Sequence, residues 1–212
     1  MNAAQRLHSA MDGLPLIAIL RGLPPTDAAA VGEALIGAGW SILEVPLNSP
    51  SPLSSIATLA SRWPQLLVGA GTVLCAAQVR EVHAAGGRLI VSPHLDAGVV
   101  AAALALDMVC LSGVATPTEA LSALHAGAHG LKLFPAEMIT PAAVAALRAV
   151  LDPAVRLLPV GGINATNMAA YRRAGASGFG LGSALYRPGQ DATGVATQAT
   201  ALAAAWRASG SP

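Results

Sequence analysis

Short β-type apolar runs alternate along this chain with alanine-rich stretches whose apolar positions recur at helical spacing. The runs are LIAIL (16–20), ILEVPL (42–47), LLVGAG (66–71), RLIVSP (88–93), MVCLSG (108–113), GLKLFP (130–135), RLLPVGG (156–162) and GFGLGS (178–183). Between them, segments such as DAAAVGEALIGAG and TEALSALHAGA read as helices that close on glycine, a common C-terminal stop. A short helix is expected before the first strand, and residues 191–208 read as a last helix.

Strands that alternate with helices predict a parallel sheet buried on both faces. Eight of them fit an α/β fold of the (β/α)8 TIM-barrel type, compact for its class at 212 residues. No linker, low-complexity tract or composition break divides residues 1–212, so a single domain is expected. An open doubly wound sheet is the competing architecture. Against it, the first strand runs into ILRGLPPTD and lacks the GxGxxG turn of a dinucleotide site.

A barrel of this kind puts function at the C-terminal ends of its strands. Side chains alternate between the two faces of a strand. On the second strand Leu43, Val45 and Leu47 then face the helices and Glu44 faces the axis. On the sixth, Leu131 and Leu133 face the helices and Lys132 faces the axis. Arg21 ends the first strand and Thr72 the third, so four polar side chains converge on one end of an apolar barrel. Lys132 is the only lysine; the other eleven basic residues are arginines. A bland reading makes Glu44 and Lys132 a buried ion pair that holds the barrel together, although such pairs are weak stabilisers.

The functional reading follows from the low dielectric. Burial disfavours a charged amine, and a neutral amine is a nucleophile that attacks carbonyls to form a Schiff base. The iminium is an electron sink for breaking the adjacent C–C bond, and Glu44 can move the protons. Arg21 can clamp a substrate carboxylate, and Thr72 can donate a hydroxyl. VGGINATN and GLGSALY follow the seventh and eighth strands, the usual phosphate site of these barrels. Gly161, Gly162, Gly182 and Ser183 are the candidate phosphate contacts, through backbone N–H groups that glycine leaves accessible. A tight turn that simply needs small residues is the alternative for either stretch alone.

Composition narrows the function classes. The net charge of +1 lacks charged blocks and aromatics make up 3%, which disfavours a nucleic-acid surface. The N-terminal segment does not read as a signal peptide, and no run reaches the length of a membrane helix. Cys75 and Cys110 lie far apart without a CxxC, so a reduced, cytoplasmic protein is expected, with Cys110 buried in a strand and Cys75 at a helix start. The five histidines have no HxH or HExxH spacing; no metal and no cofactor are expected.

LPLIAILRG, EVPLNSP, GAGTV, LKLFP, VGGI and GLGSALYRPGQ, in this order over nearly the whole chain, closely resemble the 2-dehydro-3-deoxy-6-phosphogalactonate aldolases. These belong to the class I aldolase family that also holds the phosphogluconate enzymes. The resemblance implies a (β/α)8 barrel, usually a homotrimer, that cleaves a phosphorylated keto-deoxy sugar acid to pyruvate and glyceraldehyde 3-phosphate. It implies Lys132 as Schiff-base lysine, Glu44 as proton shuttle, Arg21 and Thr72 on the pyruvyl portion, and the glycine turns on the phosphate. The phosphogluconate branch typically reads EVTLRT and PTGG where this chain has EVPLNS and PVGG. Asn48 therefore replaces an arginine and Val160 a threonine, and both changes fit the galactonate branch. His94 in SPHLD departs from it, since galactonate members tend to have asparagine there; His94 is expected as a polar loop residue at the pocket mouth. Alternatives remain at this point: an aldolase for the gluconate epimer or for 4-hydroxy-2-oxoglutarate, an isomerase or epimerase without an imine, or a non-catalytic sugar-phosphate-binding barrel.

Overall fold

In the computed structural model, which describes residues 1–210, every one of these apolar runs forms a strand. The strands are β1 (Leu16–Ile19), β2 (Ile42–Pro46), β3 (Leu67–Gly71), β4 (Leu89–Val91), β5 (Val109–Val114), β6 (Gly130–Leu133), β7 (Leu157–Pro159) and β8 (Phe179–Leu181). All pair in parallel, in the order β7-β6-β5-β4-β3-β2-β1-β8. A parallel bridge between Val160 and Gly180 closes the ring between β7 and β8. This is a (β/α)8 barrel. Several strands stop short of their apolar runs for local reasons. Beyond β6, Pro135 has no N–H for the ladder, and beyond β7, Gly161 and Gly162 turn the chain at φ of 109° and 62°.

Each strand leads into a helix: α2 (Pro25–Gly37), α3 (Pro52–Arg62), α4 (Ala76–Ala84), α5 (Ala97–Ala105), α6 (Pro117–His125), α7 (Pro141–Val150), α8 (Met168–Arg173) and α9 (Ala192–Ala208). Prolines occupy the first turn of α2, α3, α6 and α7, where no N–H partner is lost. Gly39 and Gly127 follow α2 and α6 at φ of 86° and 96°, so the glycine stops read from the sequence end these helices. Cys75 is the N-cap position of α4, and Cys110 is buried in β5; both are free thiols.

Two apolar shells result. Leu43, Val45, Leu131, Leu133, Leu157 and Phe179 point outward and pack under the helices. Ile17, Ile42, Leu67, Leu89, Val109, Leu111 and Leu158 point inward and fill the barrel's lower half. The N-terminal helix α1 (Ala3–Gly13) seals that end with Ala3, Leu7 and Met11, spaced to share one face. Its start is fixed by an Asn2–Gln5 capping box and by Arg6, whose Nη2 lies 2.7 Å from Asp107 Oδ2. With the bottom plugged, the C-terminal end is the one open to chemistry.

Candidate active site

The upper half of the barrel is built differently from the lower. Strand alternation carries Ile17, Ile42 and Leu67 up to Ile19, Glu44 and Gly69, and then to Gly71 at the end of β3. On β5, β6 and β8 the inward positions near the mouth are Gly113, Lys132 and Gly180. A side chain on Gly71 would overlap the Glu44 carboxyl, and one on Gly113 would strike the Pro93–His94 backbone. These glycines leave room above the apolar plug, and Glu44 and Lys132 are the charged groups that project into it.

Both are buried, Glu44 to 2% exposure and Lys132 to 6%. Burial raises the Glu44 pKa from 4.5 to about 7, against the pull of the Lys132 and Arg21 charges. Burial lowers the Lys132 pKa; the Glu44 charge opposes that shift and the Arg21 charge adds to it. The ion-pair reading fails on geometry: no nitrogen of Lys132 lies within 4.0 Å of a Glu44 oxygen. Glu44 Oε2 is buried without any hydrogen-bond partner. A buried polar atom left unsatisfied calls for an explanation other than stability. Lys132 Nζ sits instead 4.5 Å from the centroid of the Phe134 ring, whose face favours a cation.

Arg21 stands just past β1, exposed, and its Nη1 donates to Asn48 Oδ1 at 3.1 Å. Next to them, the Gly22 N–H donates to the buried Ser49 Oγ at 2.9 Å, which ties the loops after β1 and β2 together. Asn48, where the phosphogluconate branch has a cation, thus braces Arg21. Thr72 directly follows β3 at φ 58°, a left-handed conformation that a β-branched residue adopts at a cost of roughly 1–3 kcal/mol. Strain of this kind gathers at functional sites, and it turns the chain away from β3 right beside Gly71.

Val160, buried at the end of β7, packs against Gly180 and lines a cavity of about 190 Å³ together with Ile19, Arg21 and Phe134. Gly161, Gly162, Gly182 and Ser183 line the same cavity, as does Glu137. The two glycine-rich turns and Arg21 therefore meet in one cavity. Asn164 Nδ2 and Asn167 Nδ2 both donate to the Gly162 carbonyl, at 3.2 and 2.9 Å, and hold the first turn in shape. His94 is an exposed loop residue after β4, with Nδ1 3.3 Å from Ser92 Oγ.

Sequence reasoning passed over Phe134, Ser49, Gly71 and Glu137. Two of them left a signal: Phe134 follows Lys132 by two residues, and Gly71 follows the inward Leu67 by four, so alternation points both to the axis. Ser49 and Glu137 depend on contacts between separate loops and left none.

Known proteins agree with this architecture. The family model for KDPG and KHG aldolase matches residues 7–195. A probable 2-dehydro-3-deoxy-6-phosphogalactonate aldolase of Rhizobium meliloti is 49% identical over 92% of either chain. The 2-dehydro-3-deoxy-6-phosphogalactonate aldolase of Escherichia coli is 44% identical, over 92% of this chain and 95% of its own. A solved structure described as native KDPGal superimposes with a TM-score of 0.91 at 43% identity, covering 92% of this chain and 96% of the other. The chain belongs to the KDPG and KHG aldolase family.

Proposed function

We propose that this protein is a Schiff-base lyase that cleaves 2-dehydro-3-deoxy-6-phosphogalactonate to pyruvate and D-glyceraldehyde 3-phosphate. The observation that carries the reading is the buried, unpartnered Glu44 Oε2 beside a buried lysine that is not its ion-pair partner. In this reading the neutral Lys132 amine attacks the C2 carbonyl. Proton transfers through Glu44 turn the carbinolamine into an iminium with loss of water. A base, with Glu44 the candidate, takes the C4 hydroxyl proton. The C3–C4 bond then breaks, its electrons pass to the iminium, and glyceraldehyde 3-phosphate departs. The remaining enamine is protonated at C3, and water releases pyruvate and the free amine. The Phe134 face favours the cationic iminium as it favours the ammonium. Arg21, held by Asn48, would take the substrate carboxylate with help from Thr72, and the turns Gly161-Gly162 and Gly182-Ser183 would take the phosphate. No group of three potential metal ligands exists among the described residues, and the iminium supplies the electron sink this reaction needs. No helix among the described residues is long and apolar enough to cross a membrane. A homotrimer, implied by the resemblance, and a cytoplasmic setting, expected from the cysteine usage, belong to this reading.

Gly71 offers a test of how closely Glu44 is positioned. The nearest atoms a methyl group there would meet are those of the Glu44 carboxyl, the movable end of that side chain. Gly71→Ala should therefore fold, with an unchanged circular dichroism spectrum, and lose about 10²-fold in kcat through misplacement of the carboxyl by an ångström or so. Wild-type turnover in the folded variant would show that the carboxyl position does not matter.

Epimer choice tests the substrate. A coupled assay for pyruvate release, run on the galacto and gluco phosphates side by side, is expected to favour the galacto epimer. Val160 presents only methyl groups to the cavity, so it offers no hydrogen bond to a C4 hydroxyl on its side. Val160→Thr keeps the shape and adds a hydroxyl. One such bond is worth about 0.5–1.5 kcal/mol net, so the kcat/KM ratio should narrow by roughly tenfold. A wild type that prefers the gluco epimer overturns the substrate. An unchanged ratio in the variant removes Val160 as the cause of the preference.

A further inference from the structure

Glu137 lines the cavity that would receive the phosphate, although it carries the same sign of charge. Its backbone has little freedom. The neighbouring Ala136 N–H donates to the Val160 carbonyl at 2.8 Å, and the Ala136 carbonyl accepts from the Tyr171 hydroxyl at 2.9 Å. This clamp seats Glu137 against the turn after β7. A side chain on Gly161 would collide with Glu137 Oε2, and one on Gly162 would lie 3.2 Å from Glu137 Oε1. The carboxylate thus lies against both glycines, where their side chains would otherwise stand. No Lys, Arg or His nitrogen comes within 4.0 Å of it among the described residues. A salt bridge does not hold it there, and its exposure leaves it free to swing out.

We propose that Glu137 is a specificity-determining residue: its carboxylate is a tethered competitor for the anion turn Gly161-Gly162. The inference rests on the reading of this turn as the phosphate subsite. Being part of the chain, the carboxylate competes at an effective concentration that a free anion cannot match easily. A dianion cannot share the turn with it without strong repulsion. Inorganic phosphate has only the contacts of this cavity to hold on to, without a covalent anchor, and is rejected. A phosphorylated keto acid is also anchored at its far end by the covalent bond to Lys132, and this additional anchoring displaces Glu137. Discrimination against a small anion is thus obtained by repulsion that only the full substrate overcomes.

The test compares wild type, Glu137→Gln and Glu137→Ala. Inhibition of cleavage by inorganic phosphate is measured together with KM for the sugar acid phosphate. Both variants are expected to bind inorganic phosphate more tightly, with the inhibition constant lower by roughly tenfold, and to show a smaller ratio of that constant to KM. An inhibition constant unchanged in both variants overturns the proposal. So does a raised KM in Glu137→Gln, which would make the side chain a substrate contact. Borohydride trapping with pyruvate alone involves no phosphate and serves as the control. Trapping in all three forms, with no change in phosphate inhibition, defeats the role of Glu137 alone. Absence of both trapping and cleavage in the wild type defeats the aldolase reading, and the role of Glu137 with it.

Discussion

Sodium borohydride added with pyruvate should inactivate the enzyme irreversibly and leave a 1-carboxyethyl group on Lys132. The amine condenses with the C2 carbonyl, water leaves, and hydride adds to the imine carbon, so a stable secondary amine records the intermediate. The chain makes this test unusually clean, because Lys132 is its only lysine. The N-terminal amine is the other primary amine, and peptide mapping separates the two. Borohydride without pyruvate should be harmless. Lys132→Met, which keeps the apolar stem under the Phe134 ring and removes the nucleophile, should lower kcat by roughly 10⁴-fold or more, the scale of losing a covalent nucleophile. The lowered pKa sets the pH dependence of trapping. Burial stabilises the neutral amine, so trapping should extend to lower pH than the reaction of an exposed lysine does. Continued cleavage with no adduct on the Lys132 peptide would defeat the imine mechanism.

The barrel and its two buried charges were legible in the sequence because they rest on local periodicity. Each parallel strand is buried on both faces, so it stands out as an apolar run between amphipathic helices. An inward Glu44 or Lys132 then interrupts the run at a position that alternation assigns to the axis. The glycine-rich turns after β7 and β8 were legible for a related reason, since glycines in sequence mark a backbone that something approaches closely.

Features formed across loops were not legible. The strained backbone of Thr72 runs against the local preference of a β-branched residue, so propensity alone points away from it. The braces from Asn48 to Arg21 and from Ser49 to Gly22 span 27 positions of sequence, and only the closed ring brings their loops together. Glu137 follows Lys132 by five residues, but its place beside Gly161 depends on Ala136 being held to Val160 after β7 and to Tyr171. The separation of Glu44 from Lys132 is a further case. Alternation puts both on the axis, and only the barrel's width decides whether they pair. Their separation beyond 4.0 Å removes the simple salt-bridge explanation and is what supports the proposed catalytic reading.

Glu44→Gln should split activity from stability, and the direction of each effect follows from the same burial. The amide keeps the shape of the side chain and cannot shuttle protons, so kcat should fall by about 10²–10⁴-fold. A carboxyl with a pKa of about 7 exchanges protons readily near neutrality, so the wild type should lose activity on either side of that range and the variant should have no such group to titrate. Stability should move the other way. The folded state holds the Glu44 proton more tightly than the unfolded chain does, since the pKa is raised from 4.5 to about 7. Between those pH values the folded form binds more protons than the unfolded form, so wild-type stability declines as pH rises through the window. The full decline attributable to this group is roughly 3 kcal/mol and is complete above the folded pKa. Glutamine does not titrate and lacks this loss. Thermal melts of both proteins at pH 5 and pH 8 should therefore show the variant gaining on the wild type by several degrees at the higher pH. A structural Glu44 would give a different pattern: its removal would destabilise the protein at both pH values while the remaining folded fraction turned over at the wild-type rate. A catalytic carboxyl kept buried and unpaired for its chemistry gives a nearly inactive variant whose stability relative to wild type rises from pH 5 to pH 8.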